Sequence, residues 1–220
     1  MRFFHISDLH FGKLLYGYDL TEEHRNFIEQ LGDYCDKYNP DAVLIAGDVY
    51  DRSVPSADAM TLLDELLNKL SGRKVFIISG NHDNAKRLSF GKDFLKKHDI
   101  YISTVPQTGE NEKIEKVTFA DEYGNINIYM LPFLKPALFN SMPEEAAAGE
   151  DAIIKKLVEN TDIDKNERNI ILAHQFFVSG HKEPELCESE QTLAIVGGLD
   201  AVDVSAFDDF EYAALGHIHG

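Results

Sequence analysis

A layered α/β domain, with central β-sheets flanked by helices, is the fold class the sequence predicts. Short apolar runs alternate with segments whose apolar residues recur every three or four positions. The 220 residues, 44% of them hydrophobic, can bury one sizeable core and leave little room for a second domain. Neither a repeat nor a low-complexity tract nor a Gly/Ser-rich linker divides the chain, so one domain over residues 1 to 220 is expected.

The elements follow in order. Arg2 to Ser7 is the expected first strand. A helix from about Thr21 to Tyr38 places Phe27, Ile28, Leu31, Tyr34 and Cys35 on one stripe. Ala42 to Ala46 reads as a buried strand. Ser56 then caps a helix in which Met60, Leu63, Leu66, Leu67 and Leu70 recur at helical spacing, since a serine oxygen accepts from N–H groups that a first turn leaves unpaired. Lys74 to Ser79 repeats the apolar run. Lys116 to Ala120 and Asn125 to Leu131 flank Asp121-Glu122-Tyr123-Gly124 as a β-hairpin. Pro143 to Asn160 reads as helical despite Gly149, and Asn169 to Ala173 and Tyr212 to Leu215 complete the strands.

Composition excludes several classes of function. The N-terminus meets charge at once and nowhere do eighteen apolar residues run together, so neither a signal peptide nor a membrane span is expected and a soluble, cytoplasmic protein is. Cys35 and Cys187 are too few for a disulfide framework or a cysteine zinc site and read as free thiols. The net charge of −17 is opposite to that of most nucleic-acid binders, whose excess Lys and Arg release counterions from a polyanion. Acidic clusters at 144 to 151 and 183 to 190 read as solvated faces.

The chemistry lies where the apolar runs end. "SDLH" follows the first strand, "GDVYD" the second and "GNHD" the third; His174 follows the run at 169 to 173 and "GHIH" follows the last. In an open α/β sheet, groups beyond the carboxyl ends of the strands share one crevice. Asp8, His10, Asp48, Asn81, His174, His217 and His219 bring two carboxylates, one amide oxygen and four imidazoles there, more than one metal ion needs. Carboxylate and imidazole without thiolate suit manganese or iron, and zinc stays open. Two ions sharing a carboxylate at roughly 3.5–4 Å fit the surplus, with Asp48 as the bridge. Gly47, Gly80 and Gly216 each precede a ligand and let the backbone approach the cluster. His5, His24 and His98 stand alone and are assigned no role.

These blocks resemble the ordered signature of the calcineurin-like metallophosphoesterases: D-x-H, GD-x-x-D, GNH-D/E, a later H, and GH-x-H. The chain carries them as Asp8-Leu9-His10, Gly47-Asp48-Val49-Tyr50-Asp51, Gly80-Asn81-His82-Asp83, His174 and Gly216-His217-Ile218-His219. "HISDLHFGK", "GDVYDRSVPSADAMTLLDELL" and "ILAHQFFVSG" are similar to the DNA double-strand-break repair nucleases within that family. The resemblance implies one ion held by Asp8, His10, Asp48 and His219, and another held by Asp48, Asn81, His174 and His217, usually manganese (Mn2+). It implies that His82 approaches the scissile phosphate without binding metal, with Asp83 beside it as its orienting partner. It further implies 3′ to 5′ exonuclease activity on double-stranded DNA ends, endonuclease activity on hairpins and single strands, and work with an ATPase subunit. The family members continue past GH-x-H into a capping domain and a partner-docking segment, which these 220 residues are expected to lack.

Lys13, Arg52, Lys86 and Arg87 lie near the motifs in sequence and are candidates for touching phosphates, with surface charge for solubility as the alternative. The sequence leaves open whether two copies form a homodimer, with the helix at 56 to 70 as the candidate surface, and what the hairpin at 114 to 131 does. Two other functions fit the motifs. One is a phosphatase or small-molecule phosphodiesterase, since "GDVYDRS" is near the phosphatase pattern GD-x-x-DRG, with Ser53 in place of glycine. The other is a DNA-end-binding scaffold with dispensable catalysis, against which the full ligand set argues.

Overall fold

The computed structural model describes residues 1–106, 112–139, 141–179 and 201–219. Cys187 and the acidic run at 183 to 190 lie outside the described residues. The chain opens with β1 (Phe3–Ile6), a small hairpin of β2 (Leu14–Leu15) and β3 (Tyr18–Asp19), and helix α1 (Thr21–Tyr38). Next come β4 (Ala42–Ala46), α2 (Ala57–Lys69), β5 (Lys74–Ile78), the short helices α3 (Ala85–Leu88) and α4 (Lys92–Leu95), and β6 (Ile100–Ser103). The second half carries β7 (Glu115–Asp121), β8 (Gly124–Leu131), α5 (Pro143–Ala148), α6 (Glu150–Asn160) and β9 (Arg168–His174). It closes with β10 (Phe177–Val178), β11 (Val202–Asp203) and β12 (Tyr212–Gly216).

Two four-stranded sheets stack face to face. One has the order β1-β4-β5-β6, and the other β12-β9-β8-β7. All pairs in the first are parallel, as are β12 with β9 and β9 with β8. The period-2 alternation of a strand sorts each residue to its layer. Leu44, Phe76 and Ile78 meet Ile128, Met130 and Leu172 in the apolar layer between the sheets. Val43, Ile45, Val75 and Ile77 point the other way, against α1 and α2. Tyr129, Leu131 and Ile171 face Ile153, Ile154 and Leu157 of α6. Strands covered on both faces must be apolar throughout, which is why β4 reads Ala-Val-Leu-Ile-Ala. Each fully buried Leu or Ile contributes on the order of 1.5–3 kcal/mol relative to exposure.

The strand and helix positions match the sequence reading closely, with informative exceptions. Gly149 adopts φ 106°, a region few other residues tolerate, and splits the expected helix at 143 to 160 into α5 and α6. The buried stripe of α1 is narrower than expected: Ile28, Leu31 and Cys35 face inward while Phe27 and Tyr34 are exposed. On α2, Leu62 is buried and Met60 is exposed, because the facing helix α1 covers a stripe one position round from the expected one. Ser56 does cap α2, its hydroxyl oxygen accepting from the Ala59 N–H at 3.1 Å. Strands β7 and β8 pair antiparallel, Asp121 opposite Gly124, as the expected hairpin. Part of the acidic run at 144 to 151 is structural: Asp151 accepts from the Asp203 N–H at 3.0 Å, and Glu150 accepts from the side chain of Gln175. Cys35 is a free, buried thiol. Among the described residues no helix is long and apolar enough to cross a membrane.

Candidate metal centre

The motif residues do converge, but on a crevice built by two sheets rather than by one open sheet. Asp8 and His10 follow β1, Asp48 follows β4 and Asn81 follows β5, all in the first sheet. His174 ends β9 and His217 follows β12, in the second sheet, where the parallel register sets Gly216 opposite His174. Backbone hydrogen bonds tie the loops together. The Asp8 N–H donates to Gly47 O at 3.1 Å, His10 N–H to Asp48 O at 2.9 Å, and Phe11 N–H to Val49 O at 2.9 Å.

Those bonds hold several residues in a costly conformation. Asp8, His10, Asp48 and His217 have φ values of 56°, 45°, 49° and 89°, the left-handed region that non-glycine residues rarely occupy. Each carries a side chain of the cluster. Close approach explains the preceding glycines: a Cβ on Gly47 would strike the His174 ring, one on Gly80 the Asp48 carboxylate, and one on Gly216 the carbonyl of Ala46.

Donor atoms from the two sheets face one another across short gaps. His219 Nε2 lies 3.2 Å from Asp8 Oδ1 and 3.2 Å from His10 Nε2. Asn81 Oδ1 lies 3.1 Å from His174 Nε2 and 3.0 Å from His217 Nδ1. Asp48 Oδ2 stands between these groups, 3.8 Å from His10 Nε2 and 3.4 Å from His174 Nε2. Asp8, His10 and His219, and likewise Asp8, Asp48 and His174, each gather ligand atoms within 4.8 Å of one another. Imidazole nitrogens and carboxylate oxygens converging in this way fit divalent cations. His174 Nδ1 donates to Ala46 O at 2.7 Å, which fixes the ring tautomer and leaves Nε2 facing the cluster.

The electrostatics hold His10 and Asp48 in ligand forms, whereas His174 is drawn toward protonation by Asp48. Burial pushes His10 down to about 4 against the pull of Asp48, so its ring is neutral near pH 7. Burial disfavours the Asp48 charge, yet the hydrogen bond and proximity of His174, with the His82 N–H at 2.9 Å, hold it down to about 2. Burial likewise opposes protonation of His174, but the neighbouring Asp48 carboxylate raises it.

The His82 ring has a different neighbour from the one expected. Its Nδ1 donates to the carbonyl oxygen of Asp51 at 2.8 Å, and its Nε2 lies 4.0 Å from Asp48 Oδ2. The Asp83 carboxylate instead accepts the N–H groups of Val49 at 3.1 Å, Tyr50 at 2.9 Å and Gly80 at 2.9 Å. It clamps the loop after β4 to the loop after β5. Burial pushes Asp83 up to about 6 against those three donors. Asp51 has no role in the sequence reading, although its position in "GDVYD" is visible there; its carboxylate lies 3.5 Å from His10 Nδ1.

The candidate phosphate-touching cations divide. Arg52 is well exposed and lies 3.8 Å from Asp51, whose carboxylate adjoins His10. Lys13 follows His10 by one turn, its N–H donating to His10 O at 3.0 Å. Lys86 and Arg87 line a separate apolar cavity of about 620 Å³ with Leu63, Leu67 and Phe90, whose lining includes no residue of the cluster.

A two-sheet α/β sandwich with a cluster of His, Asp and Asn at the strand ends defines a metal-dependent phosphoesterase, and the chain belongs to the calcineurin-like phosphoesterase family, whose model matches residues 1–220. It is 30% identical over 225 residues to the SbcD component of the SbcCD nuclease of Staphylococcus epidermidis. That match takes in 100% of this chain and 57% of the relative, so the chain spans little more than half the length of that relative.

Proposed function

We propose that the chain is the phosphodiesterase unit of a manganese-dependent DNA nuclease that acts in repair and recombination with an SbcC-type ATPase subunit. The observation that carries it is the place of Asp48, whose Oδ2 is 3.8 Å from His10 Nε2 and 3.4 Å from His174 Nε2. One carboxylate within reach of two ligand groups suits a bridged pair of ions. Asp8, His10, Asp48 and His219 would hold one ion, and Asp48, Asn81, His174 and His217 the other. Two such cations supply charge neutralisation at a phosphodiester and a water acidified enough to attack it.

The remaining work belongs to the chain. Asp8 and Asp48 orient the imidazoles, and the Ala46 carbonyl fixes the His174 tautomer. His82 is anchored through Nδ1 to Asp51 O, which leaves Nε2 turned toward Asp48 and the cluster. A proton on Nε2 can pass to the departing alkoxide oxygen. Asp83 positions both by holding the amides of Val49, Tyr50 and Gly80. Arg52, 3.8 Å from Asp51, and Lys13, on the loop that carries His10, are the candidates we assign to flanking phosphates. Double-stranded ends are the proposed exonucleolytic substrate, degraded 3′ to 5′, with endonucleolytic cutting of hairpins and single strands. Pairing of two copies is part of the same proposal.

The test is hydrolysis of an end-labelled duplex by the purified chain with manganese, beside Asn81→Ala. Shortening from the 3′ end that disappears in the variant supports the reading. Cleavage confined to phosphomonoesters replaces it with a phosphatase of the same metal chemistry.

A further inference from the structure

Two phenylalanines near the cluster have no role in the core. Phe133 and Phe176 are partly buried, yet among the described residues neither belongs to any of the three apolar clusters or packs against one. Their ring neighbours are histidines of the centre. Phe133 lies 6.3 Å from the His217 ring at an interplanar angle of 35°, and 6.4 Å from the His174 ring. Phe176 stands 6.5 Å from His217 at 87°.

The backbone around them is fixed from both sheets. Phe133 N–H donates at 2.8 Å to the carbonyl of Ser79, two residues before Asn81. The next amide, Leu134 N–H, donates at 2.8 Å to the side chain of Gln175, which is fully buried and precedes Phe176. Gln175 in turn donates to Glu150 at the start of α6. One buried amide side chain therefore ties together the two segments that carry the rings. Such support pre-organises both segments: Leu134 and Phe177 are seated in the core under the second sheet, while the adjoining Phe133 and Phe176 are left against the histidines.

We propose that Phe133 and Phe176 form an aromatic wall beside His217 that stacks on the nucleobase next to the scissile phosphate. This inference rests on the nuclease reading and deepens it. A base is one sugar removed from its phosphate, so a flat apolar surface adjoining His217, a ligand of the metal centre at which the phosphate would sit, is where it lands. Every base offers a π-face, so stacking positions the strand without selecting its sequence. It also gives attraction that does not depend on positive charge, which suits a chain of net charge −17.

The experiment compares single-stranded oligonucleotides with a normal base or an abasic site beside the cleaved bond, for the wild type, Phe133→Leu, Phe176→Leu and the double variant. Metal content is measured in each by elemental analysis, because leucine keeps the apolar bulk and leaves the ligands in place. In the wild type the abasic site raises KM by roughly 5- to 100-fold, the range of one stacked base. The leucine variants raise KM for the normal strand toward the abasic value, with kcat and metal content unchanged, and Phe133→Tyr restores the preference. Equal losses on both strands, a fall in metal content, or no change in KM would overturn the wall. If the wild type cleaves only phosphomonoesters, the nuclease reading fails separately, and the same variants are compared on thymidine 5′-monophosphate and methyl phosphate. No preference for the nucleotide there overturns the wall as well.

Discussion

The two sheets deliver their ligands by different means. In the first sheet, Asp8, His10 and Asp48 sit in loops past the strands, in left-handed conformations held by loop-to-loop backbone bonds and by the Asp83 clamp. In the second, His174 is the last residue of a regular strand, and its partner His217 is set by the register of β12 on β9. The first half is strained and locked locally. The second is held mainly by strand pairing and by bonds across the gap between the sheets, among them His174 to Ala46 and the His217 N–H to the Asp8 carboxylate, with His217 alone of its ligands in the left-handed region. A centre divided this way exists only when both sheets are stacked, so metal binding reports on the packing of the whole domain.

Breaking the shared residue has the largest expected effect. Asp48→Ala removes the carboxylate that faces both groups, and hydrolysis falls by about 10³-fold or more with loss of both ions, checked by activity and by calorimetric metal titration. Retained binding of two ions would make the two halves independent. Gly80→Ala comes next, because its Cβ would meet Asp48 itself. It lowers stability by about 1–3 kcal/mol in urea unfolding and weakens metal binding, whereas Gly72→Ala, with open space around it, leaves the metals untouched despite its own positive φ.

His82→Ala separates positioning from ligation. The metals stay and turnover on DNA slows by about 10²-fold or more, as for loss of a general acid. An equal slowing with an ester whose leaving group needs no proton would remove that role. Ser56→Ala probes the scaffold of the first half alone: it costs about 1 kcal/mol in thermal unfolding through the lost α2 cap and leaves metal affinity unchanged.

The smallest effect lies at the far end of the second sheet, where Asp121 accepts from Arg168 at 3.0 Å and from the N-terminal ammonium at 3.2 Å. The Arg168 bond first, opposed by slight burial, holds the Asp121 carboxyl below the usual carboxylate range. A depressed acid binds fewer protons folded than unfolded, so this contribution is complete above the unfolded pKa of about 3.9 and is lost as pH falls below it. Urea midpoints measured from pH 6 to pH 3 fall less steeply in Arg168→Ala than in the wild type. Identical slopes would show that the pair does not contribute.

Much of the centre is legible in the sequence because each ligand stands at the end of an apolar run. "GDVYD" and "GNHD" announce polar groups directly after buried strands, and Gly47, Gly80 and Gly216 mark close approaches. What is not legible depends on contacts far apart in the chain. That β8, β9 and β12 form a separate sheet follows from pairing across dozens of residues, with no local mark. The left-handed backbones of Asp8, His10 and Asp48 are imposed by bonds between loops, against the residues' own preference. Asp83 reads as a partner for its neighbour His82, yet its carboxylate serves amides 33 and 34 residues away. Strand β6 escapes a sequence reading because its short Ile-Tyr-Ile run gives little periodic signal, and Gly149 reads as tolerated although its backbone cannot continue a helix.

The most direct measurement is electron paramagnetic resonance of the chain loaded with two equivalents of manganese, beside Asp48→Ala. A bridged pair gives an exchange-coupled spectrum at two ions per chain, and that signature disappears in the variant. Two uncoupled ions in the wild type, or a single bound ion, would contradict a centre shared between the sheets through Asp48.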